Sequence, residues 1–385
     1  MDININDVVT RCMNEINDKI KNLKRLNIIV AGKTGVGKST LINYIFREKL
    51  AETGIGKPVT QHMQEISKKD FPLTIYDTKG FELGKDVQEE IKKEIIGKIK
   101  EGLYSKDENK CIHCIWYCIN TASDRIEEEE IEWLRSLAEE NKETKVPIII
   151  VLTKSFSKQK AAEFKSYIDN LNLNICAIIP VLAQEYPIDE DYTVKEYGGE
   201  HLIQIMGEVL GDELIPTLQN VQKIAVKEKV KYARGIVATA ITASFAEGFA
   251  PIPFADAALL IPTQITMLAS ITAVFGVKVD SRTLLSFLTG VLGTAGNTFI
   301  GRAIAGNLLK LVPFSGSVVG GTISGGTAAL LTGALGEAYI KLLEKMALGQ
   351  LKSDNLHGKE IMQEMKAIFK RELQSKKEEQ KKLLK

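Results

Sequence analysis

At 385 residues the chain is longer than one ordinary domain, and a hydrophobic content of 44% is ample for two packed cores. The 50 basic and 49 acidic residues nearly cancel, which argues against a nucleic-acid grip. The start is acidic and lacks the long apolar run after basic residues that a secretory leader needs; with an odd number of cysteines, five, the expected setting is the cytoplasm.

In residues 1–25, Val9, Met13, Ile16, Ile20 and Leu23 recur at steps of four and three, so an N-terminal amphipathic helix is predicted. Its apolar stripe must dock, either on its own domain or on another protomer. From Leu26 to about Ala183, short apolar runs alternate with charged amphipathic segments, the pattern of an α/β domain with a mostly parallel sheet, predicted over 26–210. In "EISKKDFPLTIYD" only a short polar turn separates two strand-like pieces, which predicts one antiparallel hairpin.

The first apolar run leads into "GKTGVGKST". Gly32, Gly37, Lys38 and Ser39 fill the pattern GxxxxGK[ST] between a strand and a helix. Backbone from Gly32 through Lys33, Thr34, Gly35 and Val36 to Thr40 is predicted to wrap phosphates, with the helix N-terminus adding partial positive charge. Lys38 then bridges the β and γ phosphates and Ser39 ligates Mg²⁺.

Downstream, "PVT" places Thr60 in a loop and "DTKG" ends a strand with Asp77 and Gly80. In a nucleotide switch, Thr60 closes over Mg²⁺ and the γ-phosphate, Asp77 holds Mg²⁺ through water, and the Gly80 N–H senses the γ-phosphate. The run "CIHCIWYCIN" offers Cys111, His113 and Cys114 at a metal-like spacing, but it is short, apolar and rich in β-formers and reads as a buried strand. "IIIVLTKSF" then brings Thr153 and Lys154 to a base-reading position, with the Lys154 stem lying on the base. Phe156 stands where a guanine-reading carboxylate is usual. Ala183 in "VLA" is predicted to offer its N–H to the guanine O6.

The loop, "PVT", "DTKG", "TKS" and "VLA" together resemble the five motifs of Era-like GTPases, the Ras-type branch related to translation factors, over about Leu26 to Ala183. The resemblance implies GTP and GDP as ligands, Mg²⁺ as cofactor, and GTP hydrolysis. Phe81 follows Gly80 where many relatives carry a water-orienting Gln, so turnover is expected to be slow and accelerated by a partner or by self-association. The absent carboxylate leaves relaxed base choice as an alternative, and a nucleotide-gated binding module without turnover as another.

Residues 211–234 read as a helical connector. Over 235–345 charges thin out while Gly, Ala, Ser and Thr become dense, and these residues resemble an uncharacterised helical domain that follows Era-like GTPase domains in bacteria. Ala257 to Val277 and Leu311 to Gly336 are uncharged, each long enough for the about 20 residues that cross a bilayer. Small residues fall four apart in two rows: Gly321, Gly325, Ala329, Gly333, and Gly316, Gly320, Ser324, Ala328, Thr332, Gly336. Such rows suit a tightly packed bundle, or a bundle that opens onto membrane lipid, the reading preferred here. Residues 346–385 form a charged helical tail. The sequence thus predicts a Mg²⁺-dependent GTP switch coupled to an apolar, membrane-associated helical domain; expected partners are membrane lipid and a second copy or an activating protein, and no nucleic acid.

Overall fold

Where β-branched and aromatic residues run together the chain forms strands, and where apolar residues recur every three to four it forms helices. The computed structural model describes residues 5–50, 55–80, 85–123, 125–247, 260–292, 325–351 and 366–375, with Gln363 and Glu378. Phe81, Gly316, Gly320, Gly321 and Ser324 lie outside the described residues. The chain divides into two units: one is Leu23–Ala225, the other joins Met1–Asn22 to Val226–Lys385.

Leu23–Ala225 is built on a seven-stranded sheet. Its strands are β1 (Leu26–Ala31), β2 (Ile55–Pro58), β3 (Met63–Ser67), β4 (Leu73–Thr78), β5 (Cys114–Asn120), β6 (Ile148–Thr153) and β7 (Ala177–Pro180). They lie in the order β2-β3-β4-β1-β5-β6-β7. Only β3 runs against its neighbours, pairing antiparallel with β2 and β4, which includes the hairpin expected from "EISKKDFPLTIYD".

β1 and β6 are buried along their whole length, because helices cover both faces. Alternate residues divide between the two sides. Ile28, Val30, Trp116 and Val151 face α2 (Lys38–Ile45), α6 (Gly199–Val209) and α7 (Ile215–Val221). Ile29, Ile115, Tyr117 and Ile150 face α3 (Lys85–Tyr104), α4 (Glu128–Glu140) and α5 (Lys158–Asp169). Trp116 stacks on Phe46 at 5.7 Å on the first side, and Tyr117 on Trp133 at 5.5 Å on the second. A two-stranded hairpin, β8 (Tyr186–Pro187) and β9 (Thr193–Val194), follows β7.

The second unit contains α1 (Ile5–Lys21), α8 (Val226–Glu247), α9 (Leu260–Phe275), α10 (Ser281–Leu292) and α11 (Gly325–Ala347), with a further helix over 366–375. Val8, Val9, Cys12 and Ile16 of α1 are buried in one core with Leu268, Phe287, Leu288, Tyr339 and Leu343. The N-terminal stripe therefore docks within its own chain, on helices that follow the nucleotide-type domain. The expected connector also divides: residues up to Ala225 pack in the first unit, and Val226 opens α8 of the second.

Among the described residues of the apolar half, α8, α9 and α11 pack closely on one another. Ala328 and Thr332 are buried, and a Cβ on Gly336 would come within 2.5 Å of Val237. Buried hydroxyls pair across the helices, Ser244 with Thr332 at 2.9 Å and Thr272 with Tyr339 at 2.7 Å. The first uncharged run forms α9, which is 16 residues long, about 24 Å, and Gly276 then turns with φ 65°. The second overlaps α11, which also carries Glu337, Lys341, Glu344 and Lys345. Among the described residues no helix is long and apolar enough to cross a membrane.

Candidate nucleotide site

The parallel strands send their C-terminal ends to one edge of the sheet, and each predicted motif follows one of them. Gly32 leaves β1 with φ 139°, and a Cβ there would lie 2.4 Å from the Cys118 carbonyl on β5, so only glycine fits. Gly35 and Gly37 also have positive φ, and Gly37 caps the N-terminus of α2. The loop thus turns back on itself and hands its N–H groups to a helix start.

Lys38 is buried, and its Nζ donates to the carbonyls of Gly32 at 2.9 Å and Lys33 at 3.2 Å, so the ammonium spans the loop it belongs to. Lys33 points elsewhere, into ion pairs with Glu127 and Glu130 at the start of α4. The Ser39 hydroxyl lies in the first turn of α2 on an exposed residue, with Thr40 beside it.

Asp77 stands opposite Val30 in the β1–β4 register, one residue before the loop strand ends. Burial pushes its carboxyl above the ordinary range, and the nearby Lys38 ammonium opposes that rise. Its Oδ1 is buried without a hydrogen-bond partner. A carboxylate oxygen buried beside a lysine, with an unused lone pair, is the donor that a hard cation or its water takes up; the residues present fit Mg²⁺. Gly80 closes the same end: an added Cβ would lie 1.9 Å from Thr34 Oγ1 and 2.2 Å from the Thr34 nitrogen.

Thr60 is placed differently. It sits at the tip of the β2–β3 hairpin, where Val59 N–H donates to the Met63 carbonyl at 2.9 Å. Its hydroxyl donates to Glu94 Oε2 on α3 at 2.5 Å and accepts from Met63 N–H at 3.0 Å. In this arrangement a charged acceptor on α3 holds the Thr60 hydroxyl.

The base-reading end is assembled around Thr153 and Lys154. Thr153 Oγ1 donates to the Val36 carbonyl at 2.6 Å, and Lys154 Nζ reaches the Gly35 carbonyl at 2.7 Å, which ties this strand end to the phosphate loop. Lys154 has φ 53°. Phe156 stacks on Tyr186 at 4.4 Å, so aromatic surface occupies the place of the usual carboxylate. Ala183 follows β7 in a partly buried position.

Three supporting residues escaped the sequence reading. Thr121 donates to the Thr153 carbonyl at 3.1 Å, Ser155 N–H to the Val181 carbonyl at 3.2 Å, and Tyr197 hydroxyl to the Ser155 carbonyl at 2.6 Å. Ser155 is the serine of "TKS", a motif that does not show what its backbone holds, and Thr121 and Tyr197 belong to no short motif, so spacing carried no signal for them. Cys111, His113 and Cys114 form no metal site: Asn27 N–H donates to His113 Nδ1 at 3.0 Å, and burial lowers the imidazole to a pKa of about 4. Among the described residues no group of three or more such side chains could hold a metal.

Residues 27–154 match the model of the family described as 50S ribosome-binding GTPase, and residues 212–375 match that of a domain of unknown function (DUF697). Neuronal-specific septin-3 of Danio rerio is 27% identical over 195 residues, 44% of this chain and 52% of that protein. The tRNA modification GTPase MnmE of Clostridioides difficile (strain 630) is 34% identical over 164 residues, 42% of this chain and 32% of that protein. The chain thus spans about half or less of the length of these curated relatives. A solved structure of a probable GTP-binding protein engB, 23% identical, covers 48% of this chain and 97% of its own, with a TM-score of 0.30. Leu23–Ala225 thus has the P-loop GTPase fold, a mostly parallel sheet with one antiparallel hairpin, and a helical region that includes the match to the domain of unknown function follows it.

Proposed function

We propose that the chain is a Mg²⁺-dependent GTP-hydrolysing switch of the Era-like type, in which nucleotide state alters the helical unit and its contact with membrane lipid, a second copy or an activating protein. The observation that carries this is the unpartnered Asp77 Oδ1 beside Lys38, at the end of the strand that neighbours the phosphate loop. Ser39 and Asp77 would hold Mg²⁺, with Thr60 joining them when its hairpin closes. The cation supplies charge neutralisation at the phosphates.

The chain's own groups do the rest. Loop N–H groups from Lys33 to Thr40 orient the phosphates, Lys38 balances their charge, and Gly80 allows the second switch to approach the loop at Thr34. Thr153 and Lys154 brace the loop from the base side, and the Ala183 N–H reads the base. With the wild-type chain, phosphate release from GTP is expected to be slow and Mg²⁺-dependent, and Lys38→Ala is expected to lower it at least about tenfold. Unchanged release by Lys38→Ala would refute the assignment. Binding without turnover, at high protein concentration and with lipid present, would instead identify a nucleotide-gated binding module.

A second reading, hydrolysis with relaxed base choice, draws on the Phe156–Tyr186 stack. Without a carboxylate for the guanine N1 and N2 donors, discrimination falls to the remaining contacts. Equal displacement of a labelled GTP analogue by ATP and GTP would favour this reading over the first.

A further inference from the structure

Helix α3 presents two carboxylates one turn apart, Glu90 and Glu94, and each grips the tip of the β2–β3 hairpin. Glu94 Oε2 accepts from the Thr60 hydroxyl at 2.5 Å. Glu90 Oε2 meets His62 Nε2 at 3.1 Å. His62 is buried, and its own carbonyl accepts from Lys79 N–H at 2.8 Å, between Asp77 and Gly80 in sequence. The hairpin tip is therefore strapped to α3 by two side chains and to the DTKG segment by its backbone.

We propose that Glu94 is a positioning residue that acts through Thr60: it holds the threonine hydroxyl away from the phosphate site until a bound triphosphate and its cation draw it off, with the Glu90–His62 pair as a second tether. This rests on reading Thr60 as the ligand that joins Mg²⁺ in the closed state. A carboxylate is a strong acceptor for the hydroxyl proton, and Glu94 is fixed on α3, so a hairpin that carries Thr60 to the phosphates gives this bond up. The tethered state also leaves the buried His62 Nδ1 without a partner, a cost that closure is free to relieve. A ligand shifts a two-state element only by its differential affinity for the two states. A triphosphate with Mg²⁺ recruits Thr60 and works against the tether, whereas a diphosphate leaves Thr60 where it is.

The test compares GDP with a non-hydrolysable GTP analogue, both with Mg²⁺, titrated into the full chain. Glu94→Ala is expected to tighten the analogue about fivefold while GDP affinity stays within about twofold. In a Thr60→Ala background the same substitution should give no gain. Glu94→Gln keeps the shape and weakens the bond; it should give a smaller gain of the same kind, and it decides the matter should Glu94→Ala fail to fold. Equal changes in both affinities, or a gain that persists without Thr60 Oγ1, would overturn the proposal. A wild-type chain that binds GDP but not the analogue overturns it as well, while one that binds neither nucleotide refutes the reading of the site itself.

Discussion

Asp77 shows how one residue sets function against stability. Its carboxyl is raised by burial and only partly rescued by Lys38, so the folded chain holds that proton more tightly than the unfolded chain does. The sign follows: stability falls as pH rises from the ordinary carboxylate value to the raised one, and above it the ionised group carries a constant penalty. Asp77→Asn removes that penalty. In the nucleotide-free protein at pH 7 the melting temperature is expected to rise by about 2–4 °C, while Mg²⁺-supported nucleotide binding falls at least about tenfold. Both tryptophans, Trp116 and Trp133, belong to the Leu23–Ala225 unit, so their fluorescence follows this unit alone. A variant that melts lower and keeps its Mg²⁺ dependence would remove Asp77 from the metal site.

Among the elements, α11 carries the clearest packing test. Gly336 leaves no room beside Val237 and Met267, both buried, so a larger side chain must push helices apart. Gly336→Leu is expected to destabilise the helical unit by about 1–3 kcal/mol, read as faster proteolysis of residues 226–385, with nucleotide affinity retained. Protease resistance equal to the wild type would show that this row is not a seam. The row itself was legible in the sequence, since small residues four apart report a face at close approach, and Ala328, Thr332 and Gly336 are indeed buried. The phosphate loop was legible for a related reason: its chemistry depends on consecutive residues. What lay beyond the sequence was each element's partner. Periodicity in α1 shows a stripe but not which helices cover it, and "PVT" shows a threonine but not the Glu94 carboxylate that binds it. In the apolar half α9 ends at Phe275, where Gly276 turns, although uncharged residues continue to Val277.

At the scale of the molecule, the helical unit is discontinuous in sequence, and the whole P-loop GTPase domain is inserted between α1 and α8. A fragment of residues 23–225 is expected to fold alone and bind nucleotide. A fragment of residues 226–385 lacks Val8, Val9, Cys12 and Ile16, which together belong to its core. It should expose apolar surface and aggregate, and a separate peptide of residues 5–21 should restore a soluble complex; a soluble, monomeric 226–385 fragment without the peptide would contradict this. The insertion also orders events during synthesis. α1 leaves the ribosome before the sheet does, yet the helices that cover it follow roughly 240 residues later, a delay of about 10–50 s at ordinary elongation rates. Through that interval Leu23–Ala225 can complete its sheet, while the apolar stripe of α1 waits in water, a natural target for a chaperone until the last helices arrive.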